Sequence, residues 1–226
     1  MMHLPTIISI SILLNVIIGS FLLSLYFLRQ QSSYLYWGSS CLIFVGAQIA
    51  ASLRIFIDLT LITHYLADLL IISAPLAAIL GIHAYSQSDK KCQNKCAYVL
   101  VAAAVILLLV YDSPFSQLFT TAIIAACFSY AAFALRKLHV KRIMHLVLLK
   151  FCFVIHALIM VTQFSLLLSD YLGLLQTDLK QILAVILISH IVITTLTAMI
   201  WPLMMFLEHE PVSYTHLRAH ETKANL

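Results

Sequence analysis

The chain has 226 residues, of which 62% are hydrophobic and only 10% are charged, and its formal net charge is +4. Soluble domains are typically about 45–50% apolar and about 25% charged, so a soluble fold of this composition would lack the polar residues that cover a surface. Most Lys and Arg residues fall in short gaps between apolar runs, which excludes the continuous basic face that nucleic-acid binding requires.

About seven apolar runs follow one another along the chain, and each approaches the roughly 20 residues that a helix needs to cross a bilayer. Lipid offers no partner for free backbone groups, so each run is predicted to be a helix. The short gaps between them predict that helices adjacent in sequence pack as antiparallel neighbours. The predicted spans are, in chain order, Pro5–Leu28, Tyr36–Leu53, Leu59–Ala84, Ala97–Tyr111, Ser116–Leu135, His145–Leu168 and Ile182–Leu207.

The distribution of Lys and Arg predicts that the N-terminus is outside and the C-terminus is cytoplasmic, because basic residues are enriched in cytoplasmic loops. The fold class predicted is therefore an all-α integral membrane bundle that passes the membrane several times. Two basic residues, Arg54 and Lys180, are left outside. The cytoplasmic set is Arg29, Lys90, Lys91, Lys95, Arg136, Lys137, Lys141 and Arg142.

The character of the sequence changes after residue 210. Val212–Thr222 reads VSYTHLRAHET, which resembles one reading frame of an adapter used in preparing DNA libraries. We therefore expect residues 1–210 to be a transmembrane sensory domain and residues 211–226 to be an adapter-derived tail. In that case the gene product continues into a downstream domain that is missing here; the alternative is a natural polar tail.

Four ionisable residues inside the predicted spans are candidates for an intramembrane sensing cluster. His64 and Asp68 are four residues apart in the third span, which places them on one face of an α-helix. His156 and His190 lie in the sixth and seventh spans at depths that could bring them to Asp68. Ionisable groups inside a membrane are energetically costly, so their presence indicates a functional role. The pattern leaves two interpretations open: a pocket that senses a ligand or protons, and structural polar contacts between helices.

No catalytic or metal site is predicted in this chain, and no cofactor of its own. The sequence lacks phosphate-binding, zinc-protease and serine-hydrolase motifs. Cys92 and Cys96 lie in a lysine-rich segment predicted to be a loop, and a metal there would need two more ligands. Gly38 and Gly46, with small neighbours, predict a face of the second helix that packs closely against another helix.

Several stretches together resemble the multi-helix membrane region at the N-terminus of bacterial GGDEF-domain diguanylate cyclases. Members of that family often share a characteristic order of residues. A basic residue comes first, then Leu and Trp entering a helix, then Gly, then Leu-Arg, and then Leu-Ala-Asn. Asp68 stands where Asn is common. The corresponding residues here are Arg29, Leu35, Trp37, Gly46, Leu53-Arg54, Leu66-Ala67-Asp68-Leu69, Gly81 and the final run Trp201–Glu208.

The resemblance implies that the whole protein senses a signal at the bacterial inner membrane and adjusts synthesis of cyclic di-GMP. It implies a homodimer, an unknown signal ligand, and Mg²⁺ and GTP bound by the missing domain. Trp201 and Pro202 would then transmit the signal through the last helix, since proline kinks a helix. The other interpretation of Pro202 is that it marks the end of the span.

Two other functions stay open from the sequence. One is the input region of a sensor histidine kinase, which shares the helices and the cytoplasmic exit. The other is a complete small transporter or channel, although the internal repeats of many transporters are not visible.

Overall fold

The computed structural model describes residues 4–86, 90–138, 143–174 and 180–209, and these are almost entirely helical. Seven helices in this part of the chain are long and apolar enough to cross a membrane. Their exposed surfaces are rich in Leu, Ile, Val and Phe side chains, which water would disfavour and lipid accepts. The prediction of an all-α, multi-pass membrane bundle is confirmed. The predicted tail, Val212–Thr222, lies outside the described residues.

Five of the seven helices begin and end within four residues of the predicted spans, whereas the third begins later than predicted and the fourth earlier. Short 3₁₀ turns follow the second and fifth helices, and a π-helical turn at Leu61–Leu66 precedes the third. The seven helices are α1 Leu4–Arg29, α2 Ser32–Ser52, α3 Ala67–Tyr85, α4 Lys90–Val110, α5 Pro114–Ala134, α6 Ile143–Tyr171 and α7 Lys180–His209.

Six of the helices form a closed ring in which α1, α2, α3, α5, α6 and α7 each pack against the next, and α7 returns to α1. Helix α4 lies outside the ring against α3 and barely touches α5. The prediction that sequential helices are neighbours is therefore wrong for α4 and α5. The reason is that α3 already fills the ring position beside α5, and the apolar span Cys92–Val110 of α4 can remain on the lipid-facing side.

Helix α4 also begins earlier than predicted. Its first turns contain the lysine-rich segment with Cys92 and Cys96, which are therefore one helical turn apart and not in a loop. Lysine and glutamine are good helix formers, and lysine side chains near a helix end can reach the membrane surface. The predicted start of α4 was therefore too late, because the low hydropathy of these first turns was taken to indicate a loop.

The ring centre contains aromatic side chains from three helices. The indole of Trp37 on α2 stacks on that of Trp201 on α7, with ring centroids 4.5 Å apart and planes 12° from parallel. Phe153 on α6 lies against Trp37 at a centroid distance of 6.3 Å. Gly81 on α3 leaves the space for this indole, because a Cβ atom there would overlap the Trp37 ring.

Small residues on α2 allow its two neighbours to approach closely. A Cβ atom on Gly38 would lie 3.0 Å from the carbonyl oxygen of Gly19 on α1. On the other side, Ser40 Oγ donates a hydrogen bond of 2.7 Å to the carbonyl of Ala74 on α3. The small-residue face predicted for α2 is thus occupied by helices of the same chain.

Candidate functional site

Asp68 lies at the end of the bundle where α2 connects to α3, which we call the Arg54 end. Ser116 Oγ, near the start of α5, donates a 2.7 Å hydrogen bond to Asp68 Oδ2. Arg54 Nη2 lies 3.8 Å from Asp68 Oδ1, and Arg54 Nε donates a 2.6 Å bond to the carbonyl of Thr63. A carboxylate at this depth needs such partners, and the structure supplies one hydrogen bond and one cation.

The structure does not join His64 to Asp68. Among the described residues no hydrogen bond or ion pair connects them, although the sequence spacing predicts a shared face. The physical reason is the π-helical turn at Leu61–Leu66, in which hydrogen bonds run from i to i+5 and rotate successive side chains differently from an α-helix. The same turn leaves the Thr63 carbonyl to accept from Arg54.

The two histidines predicted for the cluster meet in the interior. His156 Nε2 on α6 lies 2.7 Å from His190 Nδ1 on α7, and His156 stacks on Phe128 with centroids 3.6 Å apart. Both histidine side chains are buried. A hydrogen bond of this kind needs one donor and one acceptor nitrogen, so two fully protonated rings could not form it.

One cavity brings Asp68 and His190 to a common space. It has a volume of about 290 Å³ and lies between α3, α5, α6 and α7 at the Arg54 end. Apolar side chains such as Ile124 and Leu187 line the remainder. The polar residues of the lining are Arg54, Asp68, Gln117, Thr120, Thr121, Gln163 and His190. The structure thus brings two predicted site residues together directly and places a third, Asp68, on the same cavity as His190; His64 is not in its lining.

Two buried atoms of the cavity residues lack hydrogen-bond partners within the described structure. They are Nε2 of His190 and Oγ1 of Thr120, and both residues are more than nine-tenths buried. Leaving a buried polar group unpaired costs about 1–3 kcal/mol. Both atoms are enclosed by surrounding protein atoms and present no surface to the cavity, so the cost is borne by the packing around them.

A second, smaller cavity of about 40 Å³ lies deeper in the ring, beside both histidines. Its lining includes Asn15 of α1, which belongs to a buried polar network that sequence analysis missed. Asn15 Nδ2 donates to the Ser11 carbonyl at 2.9 Å, and Gln48 Nε2 donates to Ser11 Oγ at 3.1 Å. Isolated Asn and Gln residues within apolar runs were the available signal, because amides are costly in lipid unless paired.

The predicted transmission residues belong to the part of the ring interior that faces away from the Arg54 end, where Trp201 stacks on Trp37. Trp201 is completely buried, and Tyr85 meets it edge-on at a centroid distance of 5.7 Å. Pro202 lies inside α7, where the missing N–H removes one helical hydrogen bond. His190 and Trp201 are on the same helix, about 16 Å apart along its axis at about 1.5 Å per residue.

The described residues contain no group of three or more His, Cys, Asp or Glu side chains close enough together to hold a metal ion. Neither a protein-family model, nor a curated protein, nor a solved structure matches this chain.

Proposed function

We propose that this chain is a membrane signal-input region that regulates a cytoplasmic diguanylate cyclase following α7. The observation that carries the proposal is the path of α7, which contributes His190 to the polar cavity and Trp201 to the buried stack on Trp37. One rigid helix thereby connects a ligand-sized space to the opposite end of the bundle. The family resemblance supplies the identity of the output domain.

The proposed mechanism is a shift between two packings of α7. A ligand can change the output only if it binds one packing more tightly than the other. Occupation of the cavity would favour one position of His190, and the helix would carry that displacement to Trp201 and Pro202. In this proposal the protein works as a homodimer in the bacterial inner membrane, and Mg²⁺ and GTP bind to the cyclase domain alone.

The direct test is to recover the genomic reading frame that contains residues 1–210 and to express its complete product in membrane vesicles with Mg²⁺ and GTP. The proposal predicts a GGDEF-type domain after α7 and formation of cyclic di-GMP. If the next domain instead contains a phospho-accepting histidine that is labelled by ATP, the protein is a sensor kinase and the cyclase proposal is wrong. If a stop codon follows soon after Glu210 and the vesicles show solute flux, the protein is a transporter and the cyclase proposal is wrong.

The same full-length protein tests whether Asp68 takes part in signalling. Asp68→Asn removes the charge that faces Arg54 but keeps a similar shape. We expect cyclic di-GMP output to depend differently on pH or ligand in this variant, while Thr162→Val leaves the response unchanged, because Thr162 bonds only within α6 on an exposed face. An output profile identical to that of the unmodified protein would remove Asp68 from the mechanism.

A further inference from the structure

The cavity at the Arg54 end has a lining whose charges balance. Arg54 and Asp68 are its only ionised residues within the described structure, and the other polar groups are amides, hydroxyls and the hydrogen-bonded imidazole of His190. A ligand of high net charge would enter this membrane-embedded space without a matching counter-charge. The lining therefore selects a polar ligand whose net charge is close to zero.

The two charged groups are near each other but are not closely paired. The Arg54–Asp68 distance of 3.8 Å exceeds the roughly 2.7–2.9 Å of a charge-assisted hydrogen bond. Arg54 is held by its Nε bond to Thr63 and Asp68 by Ser116. The guanidinium can still donate to an incoming carboxylate, and Asp68 Oδ1 can still accept from an incoming ammonium group.

The volume and the lining residues of the cavity fit a small molecule. A volume of about 290 Å³ is many times the ~30 Å³ share of one water molecule in the liquid. Gln117 and Gln163 add polar groups to the lining. Apolar lining residues, including Ile71, Leu183 and Leu187, offer contacts to a hydrocarbon side chain.

From these features we infer that the cavity is a binding site for a free α-amino acid with an apolar side chain. Its carboxylate would face Arg54, its ammonium group would face Asp68, and its side chain would pack among the apolar residues. This inference names the ligand class of the input region and, as a sensing site, rests on the function proposed above.

The test measures binding to the purified 226-residue chain in lipid nanodiscs. Each common L-α-amino acid is added separately, and the thermal unfolding midpoint is recorded as a function of concentration, since a ligand that binds only the folded state raises it. Propionate and propylamine serve as probes that carry only one of the two charges. We expect leucine-like amino acids to raise Tm in a saturable manner and the single-charge probes to have much weaker effects.

Two variants and a control decide whether the response comes from this cavity. Asp68→Asn and Arg54→Gln should each weaken the apparent affinity by about tenfold or more, as expected for loss of a hydrogen bond to a charged group. Thr162→Val, on an exposed face of α6, should bind like the unmodified chain. Circular dichroism identifies any variant that has not folded, and Arg54→Gln, at the more exposed of the two side chains, is the milder change if Asp68→Asn fails that check.

The inference is overturned if no amino acid changes Tm, which would mean that the cavity holds water alone. It is also overturned if propionate and amino acids act equally, or if both folded variants bind as tightly as the control. Binding needs no downstream domain. If the full-length protein makes cyclic di-GMP but binds no amino acid, this inference is wrong and the proposed function stands. If the chain binds amino acids but is followed by another type of domain, the proposed cyclase function is wrong and the binding site stands.

Discussion

At the scale of single residues, the fit between Gly81 and Trp37 sets the packing of the ring centre. The Trp37 indole occupies the space where any larger residue at position 81 would place its Cβ atom. Ser33 reinforces the contact by donating a 2.9 Å hydrogen bond to the Gly81 carbonyl. Neither group can move without disturbing the stack between Trp37 and Trp201.

We expect Gly81→Ala to destabilise the protein by about 1–3 kcal/mol, the usual cost of forcing an extra carbon atom into a packed core. Gly46→Ala is the matched control, because its Cβ atom would make only an ordinary 3.5 Å contact with Leu70. The measurement is thermal unfolding in detergent. Equal Tm values for the two variants would show that Trp37 does not lie against Gly81.

A second residue-scale prediction concerns the buried indole of Trp201. Trp201→Ala should lower the free energy of unfolding by no more than about 3–5 kcal/mol, the range for removing a large aromatic side chain from a core. Leu203→Ala, two residues away and half exposed, should have little effect, because lipid can fill the space that it leaves. Unfolding in detergent distinguishes them, and a Leu203 variant as unstable as the Trp201 variant would contradict the packing of α7.

At the scale of elements, the sequence predicted which helices exist better than it predicted how they are arranged. Long apolar runs fixed all seven spans, because the bilayer demands both length and hydrophobicity. The start of α4 and its place outside the ring could not be predicted, since lysine-rich turns read as a loop and packing order depends on contacts distant in sequence. The π-helical turn at Leu61–Leu66 could not be predicted either, and no hydrogen bond or ion pair joins His64 of that turn to Asp68 among the described residues.

The position of α4 makes a prediction about depth in the membrane. Val101, at the middle of the span Cys92–Val110, is 62% exposed, and Leu109, near its end, is 79% exposed. Val101→Lys should impair insertion by about 2.5–3.5 kcal/mol, whereas Leu109→Lys should be tolerated because its ammonium group can reach the interface. The fraction of protein that resists extraction from membranes at alkaline pH measures this. Equal loss in both variants would argue against a lipid-facing α4.

At the scale of the whole molecule, the sequence predicted a membrane bundle and named the residues of a cluster, but only the folded ring shows which of them meet. His156 and His190 come together because α6 and α7 are neighbours. Asp68 is instead partnered by Arg54 and Ser116. The sequence places Arg54 in an outer loop and in the Leu53-Arg54 pair of the family resemblance, but predicts no contact with Asp68, and Ser116 had no signal of its own. The proposed signal transmission further requires that α7 leaves the bundle on the cytoplasmic side.

Topology of the intact chain is therefore the measurement that tests the account most directly. Alkaline phosphatase, which is active only outside the cytoplasm, is inserted after Asp112 in the α4–α5 connection or attached after His209. The account predicts an active enzyme at Asp112 and an inactive one at His209, where a fluorescent protein in its place should fold. Phosphatase activity at His209 with none at Asp112 would place the end of α7 outside the cell and contradict regulation of a cytoplasmic cyclase.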